Sequence, residues 1–417
     1  MTAPPLDPAQ QAPAAWLDPD CRLIQDGVLH DRDALLALAA DLAGRLRGVA
    51  RVAAMAAKPL RVAVAVLAAR TLGVELSLLR GTAVPPGVDA LVDADGGVTR
   101  FSDGAADSFR LVLETSGTTG VPKRLRHDPD RLAARVQPGR GRGTVWLATF
   151  DSGGYAGLQV LLTVLRGGGT LVAGAAHDVP RLAALARHHG VTHISATPSF
   201  WRAFLLTGQV PPLKSLTLGG EAADQPLLDR LALAFPTAAI RHIYASTEAG
   251  ALFAVTDGRA GFPAAWLETG VEGTALRIRD GVLQVRGPRQ ALDLANEDGW
   301  YVTGDRVDPV GDRVLFRGRE DGVVNVGGVK VRPDVVEAVI LGVPGIADAA
   351  VLVQASPIVG QLLTARLVAA PGQDVGRLRG AVVAALADLP PAARPRRLEF
   401  VAELELSPSG KKKRIGA

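Results

Sequence analysis

The sequence has 417 residues, 48% of them hydrophobic and 21% charged, so it is long enough for two domains and too apolar to be disordered as a whole. Its formal net charge is +4, but the basic run at 411–414 has no aromatic residues between its cations, which argues against nucleic-acid binding. The single cysteine, Cys21, excludes an intrachain disulfide and a multi-cysteine metal site, and no apolar run approaches the roughly 20 residues that span a membrane.

The N-terminal part predicts alternating helices and strands. Its first residues lack the features of a signal peptide, so we expect a cytoplasmic protein whose start is poorly ordered. Helical spacing predicts a helix over 34–46, whereas the apolar run 61–67 predicts a buried strand. Further strands are predicted at 144–148, 169–173 and 191–196, with a helix at 179–189. This alternation predicts an α/β fold with a largely parallel sheet.

The pattern changes after residue 275. Short alternating segments at 275–279, 282–286, 300–302 and 314–317 are separated by Gly, Asp and Asn, and they predict a small antiparallel region. A final block then predicts a helix at 333–341, a strand at 349–353 and a helix at 375–386. We therefore predict a large N-terminal domain over 1–316 and a small α+β C-terminal domain over 317–417.

The most informative segment is a loop that follows an apolar strand near residue 111. It contains Thr115, Ser116, Gly117, Thr118, Thr119 and Gly120, and Lys123 comes shortly after it. Glycines and small hydroxyl residues let backbone N–H groups converge on phosphate oxygens, to which Lys123 adds a positive charge. The order does not fit the Walker-type G-x-x-x-x-G-K-[ST] loop. Taken alone, the segment fits an ordinary solvated turn equally well.

Four further motifs follow in the chain. They are Y-A-S-T-E at 244–248, Y-V-T-G-D at 301–305, G-R-E-D at 318–321 with G-G-V-K at 327–330, and S-G-K at 409–411. The carboxylate of Asp305 only accepts hydrogen bonds, which suits two adjacent ribose hydroxyls, although a turn aspartate is the simpler interpretation of that residue alone. Glu248 offers the hard oxygen ligand that magnesium prefers.

Together, these five motifs resemble those of the adenylate-forming (AMP-binding) superfamily. Its members include acyl- and aryl-CoA synthetases, aryl and acyl carrier protein ligases, peptide-synthetase adenylation domains and luciferases. The resemblance implies a large adenylation domain with mixed sheets and a small mobile C-terminal lid. It also implies an enzyme that uses ATP and Mg²⁺ to convert a small aryl or short acyl acid into acyl-AMP. The acyl group would then pass to the phosphopantetheine thiol of CoA or of an acyl carrier protein.

The resemblance also assigns roles to individual residues. Lys411, Glu248 and Lys123 would be catalytic, with Glu248 as the metal ligand and Lys411 reaching the acyl carboxylate and the α-phosphate. The nucleotide site would comprise Thr115, Ser116, Gly117, Thr118, Thr119, Gly120, Gly219, Gly220, Glu221, Tyr244, Ala245, Ser246, Thr247, Asp305 and Arg319, with the ring of Tyr244 along the adenine. The acyl pocket would comprise Asp151, Ser152, Tyr155, Gly219, Gly220, Ala245 and Ala249. Asp321 would be the hinge of a two-step lid rotation, and Gly327, Gly328 and Lys330 would line the thiol-arm tunnel.

Some features depart from the family pattern. The phosphate loop comes earlier than in most relatives, so we expect a shortened N-terminal subdomain. Asp151, in F-D-S, either pairs with a substrate ammonium group or caps the helix that begins near Tyr155. Lys412, Lys413 and Arg414 are expected to be a solvated run.

The thiol acceptor and two alternative functions stay open. CoA and a carrier protein acting in trans fit equally well, and carrier proteins are usually acidic, which would suit a basic enzyme. A non-catalytic nucleotide-binding protein is one alternative, although the presence of Lys123, Glu248, Asp305, Arg319 and Lys411 argues against it. An enzyme that only adenylates is the other, although Gly328 and Lys330 keep the motif of the second step.

Overall fold

The computed structural model describes residues 13–115, 123–174, 178–288, 291, 297–356, 360–407 and 409–413. The predictions for the N-terminal dozen residues, for Ser116–Gly120 of the phosphate loop and for Arg414 lie outside these ranges.

The first part of the chain forms a sheet with the strand order β6-β5-β3-β4-β7-β8. The elements up to the end of this sheet are α1 (Pro13–Trp16), β1 (Cys21–Gln25), β2 (Val28–Asp31), α2 (Arg32–Arg45), β3 (Arg51–Met55), α3 (Pro59–Leu72), β4 (Glu75–Leu79), β5 (Ala90–Val92), β6 (Val98–Arg100), β7 (Arg110–Thr115) and β8 (Lys123–His127). Strands β5, β3, β4 and β7 pair in parallel, as the alternating pattern predicts, and the helix predicted over 34–46 is α2.

A second sheet has the order β14-β13-β12-β11-β9-β10-β1-β2. Its further elements are α4 (Pro129–Leu132), β9 (Val145–Leu147), α5 (Tyr155–Gly167), β10 (Gly169–Ala173), α6 (Val179–His188), β11 (His193–Ala196), α7 (Pro198–Leu206), β12 (Ser215–Gly219), α8 (Gln225–Ala234), β13 (Ala239–Ser246) and β14 (Gly250–Val255). Strands β9 to β13 pair in parallel, and β14 turns back antiparallel to β13. The parallel strands therefore present their carboxyl ends on one edge.

An antiparallel sheet and a small α+β unit complete the fold. The sheet has the order β15-β19-β18-β17-β16, as the alternating segments predict. The elements are β15 (Phe262–Pro263), α9 (Trp266–Thr269), β16 (Ala275–Arg279), β17 (Val282–Arg286), β18 (Tyr301–Val310), β19 (Arg313–Arg319), β20 (Val324–Val326), β21 (Val329–Val331), α10 (Pro333–Leu341), β22 (Ile346–Ser356), β23 (Gly360–Ala369), α11 (Val375–Ala385) and β24 (Arg397–Phe400). Short 3₁₀ turns lie at Glu297–Gly299, Glu320–Gly322 and Pro391–Ala393. We call the part from 317 onward, the predicted C-terminal domain, the lid.

One predicted element is wrong. The apolar run 61–67 lies inside α3, not in a strand, and the strand of this unit is β3. Pro59 begins the helix and Gly73, in the left-handed region, ends it. Residues 62–70 are all buried, so the helix has no polar face and its sequence shows none of the periodicity of an amphipathic helix.

The lid has its own hydrophobic core. Val336 and Ile340 of α10 pack with Val351 and Leu367 of the sheet β22-β23-β24 and with Val382 of α11. The cores of the large domain surround α3 and the aromatic helix α7. Among the described helices, none combines the length and the apolar character needed to cross a membrane.

Candidate active site

The site lies at the carboxyl edge of the second sheet, where neighbouring parallel strands end together. Thr197 follows β11, Gly219 ends β12 and is followed by Gly220, and Tyr244 lies near the end of β13. Gly220 has φ +79°, a conformation that L side chains rarely adopt, so the turn after β12 favours glycine. Crevices at such strand ends are the usual ligand sites of parallel sheets.

Lys411 reaches this edge from the lid. A methyl group placed on Gly220 would come within 3.5 Å of Lys411 Cε, so the lysine side chain extends over the glycine turn. The hydroxyl of Thr197 donates a hydrogen bond to the carbonyl of Gly410, which ties the lysine loop to the large domain. The loop itself closes through the bridge between Leu406 and Lys412. Lys411 is therefore brought to the predicted nucleotide site.

Tyr244 and Asp305 form a direct pair. Tyr244 Oη donates to Asp305 Oδ2 at 2.5 Å, and burial followed by the Asp305 charge raises the pKa of the phenol well above its ordinary value. The ring of Tyr244 also packs near Phe253 and Phe316, with centroid distances of 5.3 and 5.0 Å. Tyr244 is thus a core aromatic residue and also orients the carboxylate predicted to bind ribose.

Several charged residues lie close to Asp305. Burial raises the pKa of its carboxyl, while the Tyr244 hydrogen bond and the charges of Arg319 and Lys411 act in the opposite direction. Arg319 Nη1 lies 3.5 Å from Asp305 Oδ1, and its Nε and Nη2 donate to the Asp321 carboxylate at 3.0 and 3.3 Å. Arg319 therefore connects Asp305, the carboxylate predicted to bind ribose, to Asp321, the predicted hinge residue.

Glu248 shares this region with Tyr301 and Asp305. Burial, and next the neighbouring Glu248 charge, raise the pKa of the Tyr301 phenol. Across the part of the chain that the structure describes, no cluster of three or more His, Cys, Asp or Glu residues could hold a metal ion. A single carboxylate nevertheless fits Mg²⁺ in an ATP site, because this ion usually keeps several waters and bridges substrate phosphates. The donor set is thus compatible with the predicted role of Glu248.

The other residues predicted around the nucleotide have local roles. The Glu221 carboxylate accepts hydrogen bonds from the backbone N and hydroxyl of Ser199, at 3.0 and 2.5 Å, near the start of α7. Ser246 Oγ accepts from the backbone N of Ala249 at 3.0 Å. Ala245 and Thr247 are half-buried beside them. These contacts fix the two turns that border the site.

The ends of the phosphate loop are paired. Thr115 and Lys123 face each other in the register of β7 and β8, and Lys123 is exposed. Arg124, the residue after Lys123, donates from Nε to the buried Glu114 at 3.3 Å. Nothing in this geometry conflicts with a phosphate-binding role for Lys123.

Asp151 does not cap the helix that begins at Tyr155. Gly154 is the N-cap of α5, and Asp151 instead accepts from the backbone N of Gly153 at 2.9 Å. Its second oxygen accepts from Arg80 Nε at 2.9 Å, and the Asp151 side chain is 14% exposed and that of Arg80 27% exposed. A substrate ammonium group would therefore have to compete with Arg80, a partner that no local sequence signal indicated.

One of the residues predicted for the acyl pocket, Tyr155, borders a small cavity. Ser152 and Ala249 are buried, and Tyr155 lies near the buried His127, with ring centroids 6.3 Å apart. A cavity of about 20 Å³ is lined by Tyr155, His127, Gln159 and Ala251, among others. This volume holds about one water. The cavity shares only Tyr155 with the residues predicted for the acyl pocket.

The predicted thiol-arm residues lie on an exposed hairpin of the lid. Gly327 and Gly328 join β20 to β21 with φ +58° and +88°, and Lys330 on β21 is exposed. A two-residue turn with positive φ at both positions needs glycine for the hairpin itself. The glycines therefore have a structural reason as well as the predicted functional one.

The prediction of a solvated run after Lys411 is wrong for Lys412. Its side chain is 3% exposed, and its ammonium nitrogen lies 3.1 Å from Glu337 Oε1, 2.7 Å from Asp348 Oδ1 and 2.5 Å from the carbonyl oxygen of Ala349. A buried lysine requires such partners. Lys413 fits the prediction, since it is exposed and pairs with the exposed Glu405 at 3.2 Å.

Known proteins resemble this chain in sequence and in fold. Residues 35–290 match the family model of AMP-binding enzymes, and residues 335–411 match that of the AMP-binding enzyme C-terminal domain. The chain is 28% identical over 389 residues to a salicylyl-CoA synthase / salicylate adenylyltransferase of Streptomyces sp., covering 84% of this chain and 69% of that protein. It is 26% identical over 374 residues to the fatty acid–[acyl-carrier-protein] ligase MmaC of Mycobacterium marinum, covering 76% and 69%. The crystal structure of the anthranilate CoA ligase AuaEII in complex with anthranoyl-AMP superposes with a TM-score of 0.74 at 17% identity, covering 95% of this chain and 93% of that one.

Proposed function

The chain belongs to the family of AMP-binding enzymes, and from this premise we propose that it is an ATP-dependent carboxylic acid ligase. Its first step joins the carboxylate of a small aryl or short acyl acid to AMP and releases pyrophosphate. Its second step transfers the acyl group to a phosphopantetheine thiol. The small residues Gly220, Ala245 and Ala249, which the resemblance places at the acyl pocket, leave room for a ring or a short chain.

The observation that carries the proposal is the position of Lys411. It extends over Gly220, close enough to Asp305 for its charge to lower the pKa of that carboxyl. In the first step the acid's oxygen attacks the α-phosphorus and the bond to pyrophosphate breaks, so negative charge develops in this region. A positioned ammonium group stabilises that charge more in the transition state than in the ground state.

The neighbouring residues supply binding and orientation. Asp305, held by Tyr244, would accept hydrogen bonds from the ribose hydroxyls, and Lys123 would meet the phosphates. Mg²⁺, held by Glu248 and the phosphates, supplies charge neutralisation when bound. Since phosphoryl and nucleotidyl transfers need little covalent help, positioning and electrostatics account for the catalysis that these residues can provide.

For the second step we propose that the lid, over 317–417, rotates on the large domain, over 1–316, about a hinge near Asp321. The hairpin turn at Gly327 and Gly328 would then border the incoming thiol, with Lys330 beside it. Sulfur attacks the acyl carbonyl of the mixed anhydride, AMP leaves, and the thiol proton is lost to solvent. The names of the relatives above include both CoA and acyl carrier protein as acceptors, so both are tested.

The first experiment measures acid-dependent pyrophosphate release, with ATP and Mg²⁺, across aryl, amino-aryl and short acyl acids. Lys411→Ala should lower the rate about 10²- to 10³-fold, the cost typical of a lost transition-state donor, and should keep ATP binding. Lys413→Ala is the matched control, because Lys413 is an exposed lysine two residues away. Full-rate release by Lys411→Ala would refute its catalytic role.

The second experiment supplies each active acid with CoA, with a phosphopantetheinylated carrier protein, or with neither. Thioester formation identifies the acceptor. Accumulation of acyl-AMP under all three conditions would instead make adenylation the whole reaction. ATP binding without pyrophosphate release from any acid of the panel would favour the non-catalytic alternative or an acid outside these classes.

A further inference from the structure

A chain of buried ion pairs crosses from the large domain to the lid. On the large-domain side, Arg202 of α7 forms a short contact with Asp224 through Nη2. On the lid side, Asp348 of β22 lies 3.6 Å from Arg202 Nε and 2.7 Å from Lys412 Nζ. The side chains of Arg202, Asp348 and Lys412 are only 3–5% exposed. Asp348 is therefore shared between a cation of each domain.

The cations on the large-domain face are fixed in place. The other oxygen of Asp224 caps α8 by accepting from the backbone N of Leu227 at 3.0 Å. This hydrogen bond fixes the Asp224 carboxylate, which in turn orients Arg202. Arg230, also on α8, donates from Nη1 to the carbonyl oxygen of Ala347 at 3.1 Å. This face thus carries two positive charges, those of Arg202 and Arg230, and one negative charge, that of Asp224. The lid places the Asp348 carboxylate against it.

The lid side connects directly to Lys411. Lys412 is the next residue in the chain, and its ammonium is anchored on Asp348, Glu337 and Ala349. With Leu406 bridged to Lys412, the loop that carries Lys411 can move little relative to β22. Whatever fixes Asp348 against the large domain therefore fixes Lys411 over Gly220.

From this arrangement we propose that Arg202 is a positioning residue for the adenylation step, because its contact with Asp348 holds the lid in the pose that presents Lys411. The proposal rests on the function proposed above for Lys411. When the lid rotates away, Asp348 stays paired with Lys412 and Arg202 stays paired with Asp224. Neither Asp348 nor Arg202 is then left without a charged partner. Among these ion pairs, the one that is lost joins Arg202 to Asp348 across the two domains, and removing it changes the balance between poses.

The substitution Arg202→Met tests this idea because it keeps much of the buried volume and removes the charge. Without the guanidinium, closing the lid would bury Asp348 against a face that has lost its nearest cation. Close charge pairs across interfaces contribute enough that we expect about a tenfold or larger loss of the adenylation-competent pose. Arg202→Lys should recover part of it. The control is Arg181→Met on α6, where the exposed Arg181 pairs only within the large domain, with Asp178.

The kinetic readout separates the two half-reactions. Acid-dependent ATP–pyrophosphate exchange should fall about tenfold in Arg202→Met, whereas thioester formation from supplied acyl-AMP should not slow. A purely structural role would slow both steps equally. Equal loss of both steps, or unchanged exchange, would overturn the proposal.

A distance measurement tests the pose without relying on activity. Spin labels at Leu233→Cys on α8 and Val383→Cys on α11 occupy positions that are 85% and 56% exposed, whereas the native Cys21 is fully buried. The distance population that matches the present pose should shrink in Arg202→Met, recover partly in Arg202→Lys and stay unchanged in Arg181→Met. An unchanged distribution in Arg202→Met refutes the positioning role. Absence of activity in the native enzyme, with the distances shifting as expected, refutes only the proposed function.

Discussion

Replacing Lys412 with Met removes the ammonium group that the lid buries among Glu337, Asp348 and the carbonyl of Ala349. Methionine fits the volume approximately, so the main loss is electrostatic. Breaking a buried ion pair by removing one partner costs about 3–5 kcal/mol, because the remaining charge stays buried. All these partners lie within the lid. The substitution should therefore lower the free energy of unfolding of the lid in every pose.

Hydrogen exchange of the amides in β22 measures this stability locally. A loss of about 3 kcal/mol should speed exchange through lid opening more than about a hundredfold, at 1.36 kcal/mol for each factor of ten. Tryptophan fluorescence would not report the effect, because all five tryptophans precede the lid in the sequence. Lys413→Met is the control, and it should change the free energy of opening by less than about 0.5 kcal/mol, since its pair with Glu405 is exposed.

The pH dependence gives a second, independent test of the same prediction. Burial raises the pKa of Asp348, and the charge of Lys412 is the largest influence that lowers it. Without Lys412 the folded-state pKa rises further above the unfolded value. When the pKa of a carboxyl group is higher in the folded state than in the unfolded state, the group contributes stability at pH values below the unfolded-state pKa. This contribution is lost as the pH rises through the folded-state pKa. The exchange ratio of Lys412→Met to native enzyme should therefore be larger at pH 8 than at pH 5. Equal exchange in the Lys412 and Lys413 variants, or a ratio independent of pH, would refute this reasoning.

Two further predictions concern Tyr244 and Cys21. Tyr244→Phe removes the hydrogen bond to Asp305, and hydrogen bonds to charged groups contribute about 1.5–3 kcal/mol, so the KM for ATP should rise tenfold or more. The same change removes an influence that lowers the pKa of Asp305, so the acid limb of the KM profile should move to higher pH; an unchanged profile would count against Asp305 as the ribose ligand. Burial, followed by the Asp18 charge, raises the pKa of Cys21 to about 11, so a thiol-reactive dye should leave the folded protein unlabelled at pH 8 and label one thiol in urea. Rapid labelling of the folded protein would contradict that burial.

Much of the fold follows from sequence patterns, and the exception has a physical reason. The alternating segments of β16 and β17 and the amphipathic α10 begin and end where their patterns predict. Helix α3 was missed because it is buried on all sides, so its apolar run carries no period that distinguishes a helix from a buried strand. Gly73 and Pro59 were the available signals, one at each end of the helix.

Some residues of the candidate site were likewise predicted from the sequence, and others were not. Motif residues such as Lys411, Tyr244 and Asp305 are recognisable along the sequence, and the structure brings them to one edge of the second sheet. The Arg80–Asp151 and Arg202–Asp348 pairs join residues far apart in the chain. From sequence alone, a single arginine in a helix, such as Arg202, is expected to lie on the surface, because its partner is distant in the chain and is identified only in the structure.

The three consecutive lysines at 411–413 show why composition alone cannot assign function to a charged run. Lys411 faces the large domain, Lys412 points into the lid and Lys413 faces solvent, because the short loop before them places successive side chains on different sides. The buried Lys412 anchors the loop that carries the exposed Lys411, the residue proposed to be catalytic, which a flexible tail could not do. A mobile ammonium group at the end of a chain would lose its positional advantage in transition-state stabilisation, since that advantage depends on preorganisation. The anchor at Lys412, and through Asp348 the contact with Arg202, therefore belong to the same functional unit as Lys411.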